Sequence, residues 1–152
     1  MSYAQVLIHA VLVCEGRRRW LRPELRERLV PYLGGVLRNH GGALYIGNGI
    51  EDHLHLLLSL PAPRSLSDTM RDLKANSSRW LRRDGECRLF SWQKEYAAFS
   101  VSPSNRSRVE DYIARQEEHH RRRDLREELL LLLRAHGMKP DPRDPWLGRA
   151  AQ

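Results

Sequence analysis

An α+β fold is predicted by three observations. Apolar runs of strand length occur at residues 3–13, 43–50 and 53–60, amphipathic helical periods lie between and after them, and turn residues mark almost every change of period. The first run, rich in Val, Leu and Ile, ends at the polar cluster of residues 15–19. Pro23, followed by Leu25, Leu29, Leu33 and Leu37 at one-turn spacing, predicts a helix to about His40, with Pro31 as a place for a kink or split. Gly41-Gly42 breaks this helix before a short second strand at 43–50, and Glu51-Asp52 makes a tight connection into the third strand. Pro61-Ala62-Pro63 closes that hairpin. A second helix begins near Ser67, with Leu66, Met70, Leu73, Ser77, Trp80 and Leu81 on one stripe and Arg71, Lys74, Arg82 and Arg83 on another face. Asp84-Gly85-Glu86 is a loop, and residues 96–101 give a fourth strand. Ser102-Pro103-Ser104-Asn105 launches a third helix through about His120. Asp124 and Glu127, at capping-box spacing, open a leucine-rich fourth helix that Gly137 stops. The order βαββαβ is the ferredoxin-like plan: an antiparallel sheet with helices on one face, here followed by C-terminal helices.

With 152 residues the chain is expected to form a single domain over 1–152, its core at about 3–137 and an irregular C-terminal tail at about 138–152. An apolar content of 41% argues against disorder. The net charge of +7, with 26 basic residues of which only Lys74, Lys94 and Lys139 are lysine, points to a polyanionic partner. Nucleic acid is the commonest, and the forked arginine side chain suits phosphate. Cys14 and Cys87 fit no zinc spacing, no secretory leader opens the chain, and the apolar runs 6–14 and 129–133 are far shorter than a membrane span. A reduced, cytoplasmic protein with no membrane partner is the expectation.

The chemistry begins in Glu51-Asp52-His53-Leu54-His55-Leu56-Leu57-Leu58. Residues two apart on a strand share a face, so both imidazoles project side by side, while Asp52 is expected on the opposite face and is a poor ligand. By itself a His-x-His strand is usually structural. Further on, Tyr112 and Gln116 are four apart on the third predicted helix and so neighbours on one helical face. Tyrosine is a competent covalent nucleophile, but a free phenol has a pKa of about 10 and needs help to lose its proton. A divalent cation held by His53 and His55, with the Gln116 carbonyl as third ligand, supplies that help. Because these ligands are neutral, the cation's full charge stays available to a phosphodiester; Mg²⁺ or Mn²⁺ suits phosphate chemistry better than Zn²⁺.

These residues carry a resemblance. His53-Leu54-His55 is similar to the histidine–bulky apolar–histidine motif of the HUH single-strand endonucleases. Tyr112-Ile113-Ala114-Arg115-Gln116 resembles the tyrosine-to-glutamine helix of their single-tyrosine transposases, the insertion-sequence class related to REP-associated transposases. Lys74, Ser77 and Ser78 resemble its Lys-x-x-Ser-Ser helix, residues 92–101 its Trp-x-x-x-Tyr-x-x-Phe-Ser-Val strand, and residues 129–146 its leucine-rich ending at Trp146. One departure is Glu95, where the family often has Gly. The resemblance implies a homodimeric ferredoxin-like transposase whose metal, on His53, His55 and Gln116, activates single-stranded DNA with hairpin ends. Tyr112 attacks, stays on the 5′ phosphate and releases a 3′ hydroxyl that reseals a strand without ATP. The tyrosine helix can serve the partner's site in this family.

Other residues carry blander readings. Lys74, Arg79, Arg82, Arg83, Arg17 and Arg18 are candidate nucleic-acid contacts, though Arg17–Arg19 equally suit a solvated turn. His119 and His120, with Arg121–Arg123 behind them, read as a basic helix end. Trp20, Trp80 and Trp92 are the right kind of side chain to stack on bases, with Trp80 on the core stripe. Tyr96 is a rival nucleophile but lies in a strand with no glutamine partner. Residues 129–133 suit packing or a dimer surface. The main alternative is a catalytically inactive or domesticated relative that binds single-stranded DNA or hairpins as a regulator. A two-histidine phosphoesterase needs a second His-x-Ser/Thr motif, which the sequence lacks.

Overall fold

Alternation of side chains gives the sheet two unlike sides. β1 (Leu7–Val13), β2 (Ala43–Ile50), β3 (His53–Ser59) and β4 (Ala97–Val101) pair in the order β2-β3-β1-β4, with every neighbour antiparallel. This is the ferredoxin-like order the sequence predicts. The computed structural model describes residues 2–144, so Trp146 and the end of the expected tail lie outside the described residues. Val13 stands opposite His53, Val11 opposite His55 and His9 opposite Leu57. Directly opposed residues share a face. The other face presents Ile8, Ala10, Leu12, Leu54, Leu56 and Leu58 to the main core.

That core face is covered by α1 (Pro23–Asn39) and α2 (Leu66–Arg83). Leu25, Leu29, Leu33 and Leu37 of α1 are all buried, which contributes about 8 kcal/mol at roughly 2 kcal/mol per leucine before chain entropy is counted. Pro31 neither splits nor ends α1. It lies on the exposed face with Glu27 one turn earlier, where the carbonyl deprived of its N–H donor meets water. Ser65 caps α2 by accepting from the Asp68 N–H at 3.0 Å.

Two elements are shorter than predicted. β1 starts at Leu7 rather than residue 3, because Leu7 already stands opposite Ser59, the last residue of β3, and Val101, the last of β4. Before it, Val6 accepts from the Leu60 N–H at 2.8 Å just past the end of β3, and Tyr3 is 92% exposed. The third helix does not run to His120. α3 (Arg106–Ala114) ends where Arg115 leaves helical geometry at φ −102° and ψ 24°, and Gln116–His119 form a separate turn, α4.

α3 lies against β2 and β3, whose partnered His53, His55 and Asn48 define the face opposite the main core. The chain divides into two compact units between Gln116 and Glu117. In the second unit α5 (Leu125–Ala135) has the expected cap, the Asp124 side chain accepting from the Glu127 N–H at 2.9 Å. His120 Nε2 lies 3.2 Å from Glu128 Oε1 within the same unit. No helix among the described residues is long and apolar enough to cross a membrane.

Candidate active site

β3 presents His53 and His55 from one face, as period two requires, with ring centroids 5.1 Å apart. Both are fully buried. The approach of β2 to this strand depends on Gly49: a Cβ there would stand 2.1 Å from the His53 carbonyl oxygen. Only glycine lets the two backbones meet at the start of the histidine strand.

Asp52 corrects a sequence expectation. It sits in the turn before β3, so strand alternation does not govern it, and its Oδ1 lies 2.7 Å from His53 Nδ1. A carboxylate only accepts, so the His53 ring donates from Nδ1. The turn is pinned by backbone bonds from Cys14 N–H to the Asp52 carbonyl at 2.9 Å and from Leu21 N–H to the Glu51 carbonyl at 2.8 Å. Arg17 Nε stands 3.6 Å from Asp52 Oδ2, and Arg19 bonds Glu51 Oε2 at 3.0 Å. Burial raises the Glu51 pKa, but its own backbone N–H and the Arg19 guanidinium outweigh that and hold it below the usual carboxylate value. Burial, then the Asp52 charge, push the Cys14 thiol far up, so it is held protonated.

Gln116 meets this strand although the helix expected to carry it is broken. Its Oε1 lies 3.2 Å from His53 Nε2, and the residue is fully buried. Tyr112 is half-buried, with its ring edge-on to His55 at 5.9 Å and to His9 at 6.0 Å between centroids. The sheet therefore brings together His53, His55, Tyr112 and Gln116. Asn48 fixes the helix end: opposite His55 on β2, its Nδ2 donates to the Ile113 and Ala114 carbonyls at 3.0 and 3.3 Å.

Sequence reasoning missed His9, Asn48 and the role of Asp52. His9 Nε2 lies 2.7 Å from His55 Nδ1, and His9 is 3% exposed. A histidine in an otherwise apolar first strand was the available signal, but only the register shows that it faces His55.

The expected nucleic-acid contacts scatter. Arg17 serves Asp52, and Arg18 stands over the Trp20 ring at 5.3 Å. Arg79 donates to Asn76 Oδ1 at 2.6 Å, Arg82 donates to the Phe90 carbonyl at 3.1 Å, and Arg83 is exposed. Lys74 donates to the Lys94 carbonyl and lines a pocket of about 380 Å³ with Arg71, Ser78, Trp92, Lys94 and Tyr96. Burial lowers the Lys74 pKa. Ser77 and Ser78 bond back to the Leu73 and Lys74 carbonyls at 2.5 and 2.7 Å. Trp92 is buried and donates to Ser77 Oγ at 2.9 Å, while Trp80 stacks on Tyr32 and Trp20 tilts against Phe90. Tyr96 packs against the main core, on the far side of the sheet from the histidines.

The fold is that of the tyrosine transposases. A REP-associated tyrosine transposase, solved bound to a REP hairpin, matches with a TM-score of 0.59 at 16% identity, covering 79% of this chain and 72% of that one. A candidate transposase from Deinococcus radiodurans R1 matches with a TM-score of 0.57 at 22% identity, covering 76% and 93%. No curated protein matches the chain. Residues 2–116 match the model of the family described as transposase, IS200-like, and the chain belongs to that family.

Proposed function

We propose that this transposase is metal-dependent and cuts and rejoins single-stranded DNA through Tyr112, with residues 1–152 acting as one HUH domain. The observation that carries the reading is the approach of Gln116 Oε1 to His53 Nε2 at 3.2 Å, beside the Tyr112 ring. His53 Nε2 and the Gln116 side-chain oxygen stand side by side, and both are atom types that ligate divalent cations. The donor set fits a divalent cation held by His53, His55 and Gln116. Mg²⁺ or Mn²⁺ bound there would polarise a phosphate oxygen and favour the phenolate.

The protein's own residues do the rest. The Tyr112 phenol oxygen attacks the phosphorus and loses its proton. The bond from phosphorus to the 3′ oxygen breaks, and that oxygen takes up a proton as a free hydroxyl. Tyr112 stays joined to the 5′ phosphate, so one phosphoester replaces another. The later attack of a 3′ hydroxyl on the phosphotyrosine reseals the strand without ATP. Asn48 holds the end of the helix that bears the nucleophile, and Asp52 orients His53. The charge of +7 and the basic pocket at Lys74, Arg71 and Lys94 favour a DNA strand along α2. Hairpin-ended DNA is the proposed substrate, in line with the relative solved on a REP hairpin, and the proposed working form is a homodimer.

The test is incubation with labelled single-stranded oligonucleotides from the element ends and Mg²⁺ or Mn²⁺. A covalent protein–DNA adduct, abolished by Tyr112→Phe and by EDTA, is expected. Hairpin binding without any adduct overturns the reading in favour of the inactive regulator, and an adduct that survives Tyr112→Phe moves the nucleophile elsewhere.

A further inference from the structure

We infer that His9 is a positioning residue that fixes which nitrogen of His55 faces the cation. The inference rests on the proposed role of His55 as a ligand. The two rings share a single hydrogen bond, His9 Nε2 to His55 Nδ1 at 2.7 Å. One proton makes that bond, so the arrangement has two forms. If His55 donates from Nδ1, its Nε2 carries a lone pair for the site; if His9 donates, the His55 proton sits on Nε2 and blocks ligation. His53 shows the first form at the neighbouring position, where a carboxylate receives the Nδ1 proton. His9 does for His55 what Asp52 does for His53, with a neutral acceptor in place of a charged one.

The placement is built rather than incidental. His9 is on β1 opposite Leu57 and Phe99, so its ring lies on the site face beside His55. Phe99 stands 6.1 Å from it and Tyr112 meets it edge-on at 6.0 Å between centroids. Those rings hold His9 in the orientation that keeps Nε2 on His55, and they bring it against the nucleophile as well. A neutral acceptor also leaves the His53–His55 pair without a second negative charge, which preserves the cation's pull on phosphate.

The measurement is long-range ¹H–¹⁵N NMR of the metal-free protein with labelled histidine, followed by Mn²⁺ titration of His9→Gln and His9→Leu. Wild type is expected to show His55 protonated on Nδ1 and bare on Nε2. His9→Gln, which keeps an acceptor at the same reach, should retain that tautomer and bind Mn²⁺ within about threefold of wild type; His9→Leu should lose it and bind about 10–100-fold more weakly. A wild-type His55 carrying its proton on Nε2 overturns the inference, and that result needs no variant to fold. His9→Leu binding Mn²⁺ as tightly as wild type while folded overturns it too. Failure of wild type itself to bind Mn²⁺ while showing the Nδ1 proton instead overturns the ligand role of His55, so the two failures are told apart.

Discussion

Removing the Asn48 side chain tests whether the tyrosine helix is held from the sheet. The last carbonyls of any helix lack intrahelical donors. In α3 two of them, on Ile113 and Ala114, receive the two hydrogens of one amide at 3.0 and 3.3 Å. Asn48→Ala deletes both bonds where water partly replaces them, so about 1–2 kcal/mol of stability is expected to go. Asn48→Asp should be worse. It sets a carboxylate against two carbonyl oxygens at the negative end of a helix, adding repulsion to the lost bonds. Tyr112 lies one residue before Ile113, so a shift of the helix end moves the proposed nucleophile; a displacement near 1 Å costs about 100-fold in rate. Urea denaturation and the initial rate of adduct formation measure the two effects separately. The expected order in both is wild type, then Asn48→Ala, then Asn48→Asp. Adduct formation by both variants within twofold of wild type would refute the claim that the sheet positions Tyr112.

Three other outcomes follow from the same geometry. Gly49→Ala should cost about 3 kcal/mol or more by chemical denaturation, because its Cβ meets backbone 2.1 Å away that no rotamer can relieve. Native Cys14 should resist a thiol reagent at pH 8 and react only after denaturation, since burial and the Asp52 charge keep it protonated. Glu51 has its pKa lowered on folding, so its contribution is present above the unfolded value and lost as pH falls through the folded one. With a partner as exposed as Arg19 it is worth at most about 1 kcal/mol, and the stability gap between wild type and Glu51→Gln should close as pH falls below the usual carboxylate range.

Sheet periodicity made the histidine pair legible because it is a local rule: His53 and His55 share a face whatever β3 pairs with. The strand order followed from the βαββαβ sequence of periods. Register did not, and His9 shows the cost. Forty-six residues from His55 in sequence, it reads as one polar residue in a core strand until β1 is set beside β3. Asp52 was misread for the opposite reason, a local rule extended one residue past the strand it governs. The break at Arg115 left no mark in the sequence, since Ala114-Arg115-Gln116 contains neither Gly nor Pro and suits a helix.

That break shows how spacing and structure can agree in outcome and differ in cause. On an unbroken helix, Gln116 would lie just over one turn, roughly 6 Å along the axis, beyond Tyr112, and both would be fixed by one rigid rod. Here Tyr112 belongs to α3, while Gln116 follows a residue outside helical geometry, so each side chain is placed by its own backbone. The end of the Tyr112 helix is tied to β2 through Asn48, and Gln116 meets β3 through His53. The break at Arg115 thus separates the proposed nucleophile from the proposed ligand of the cation.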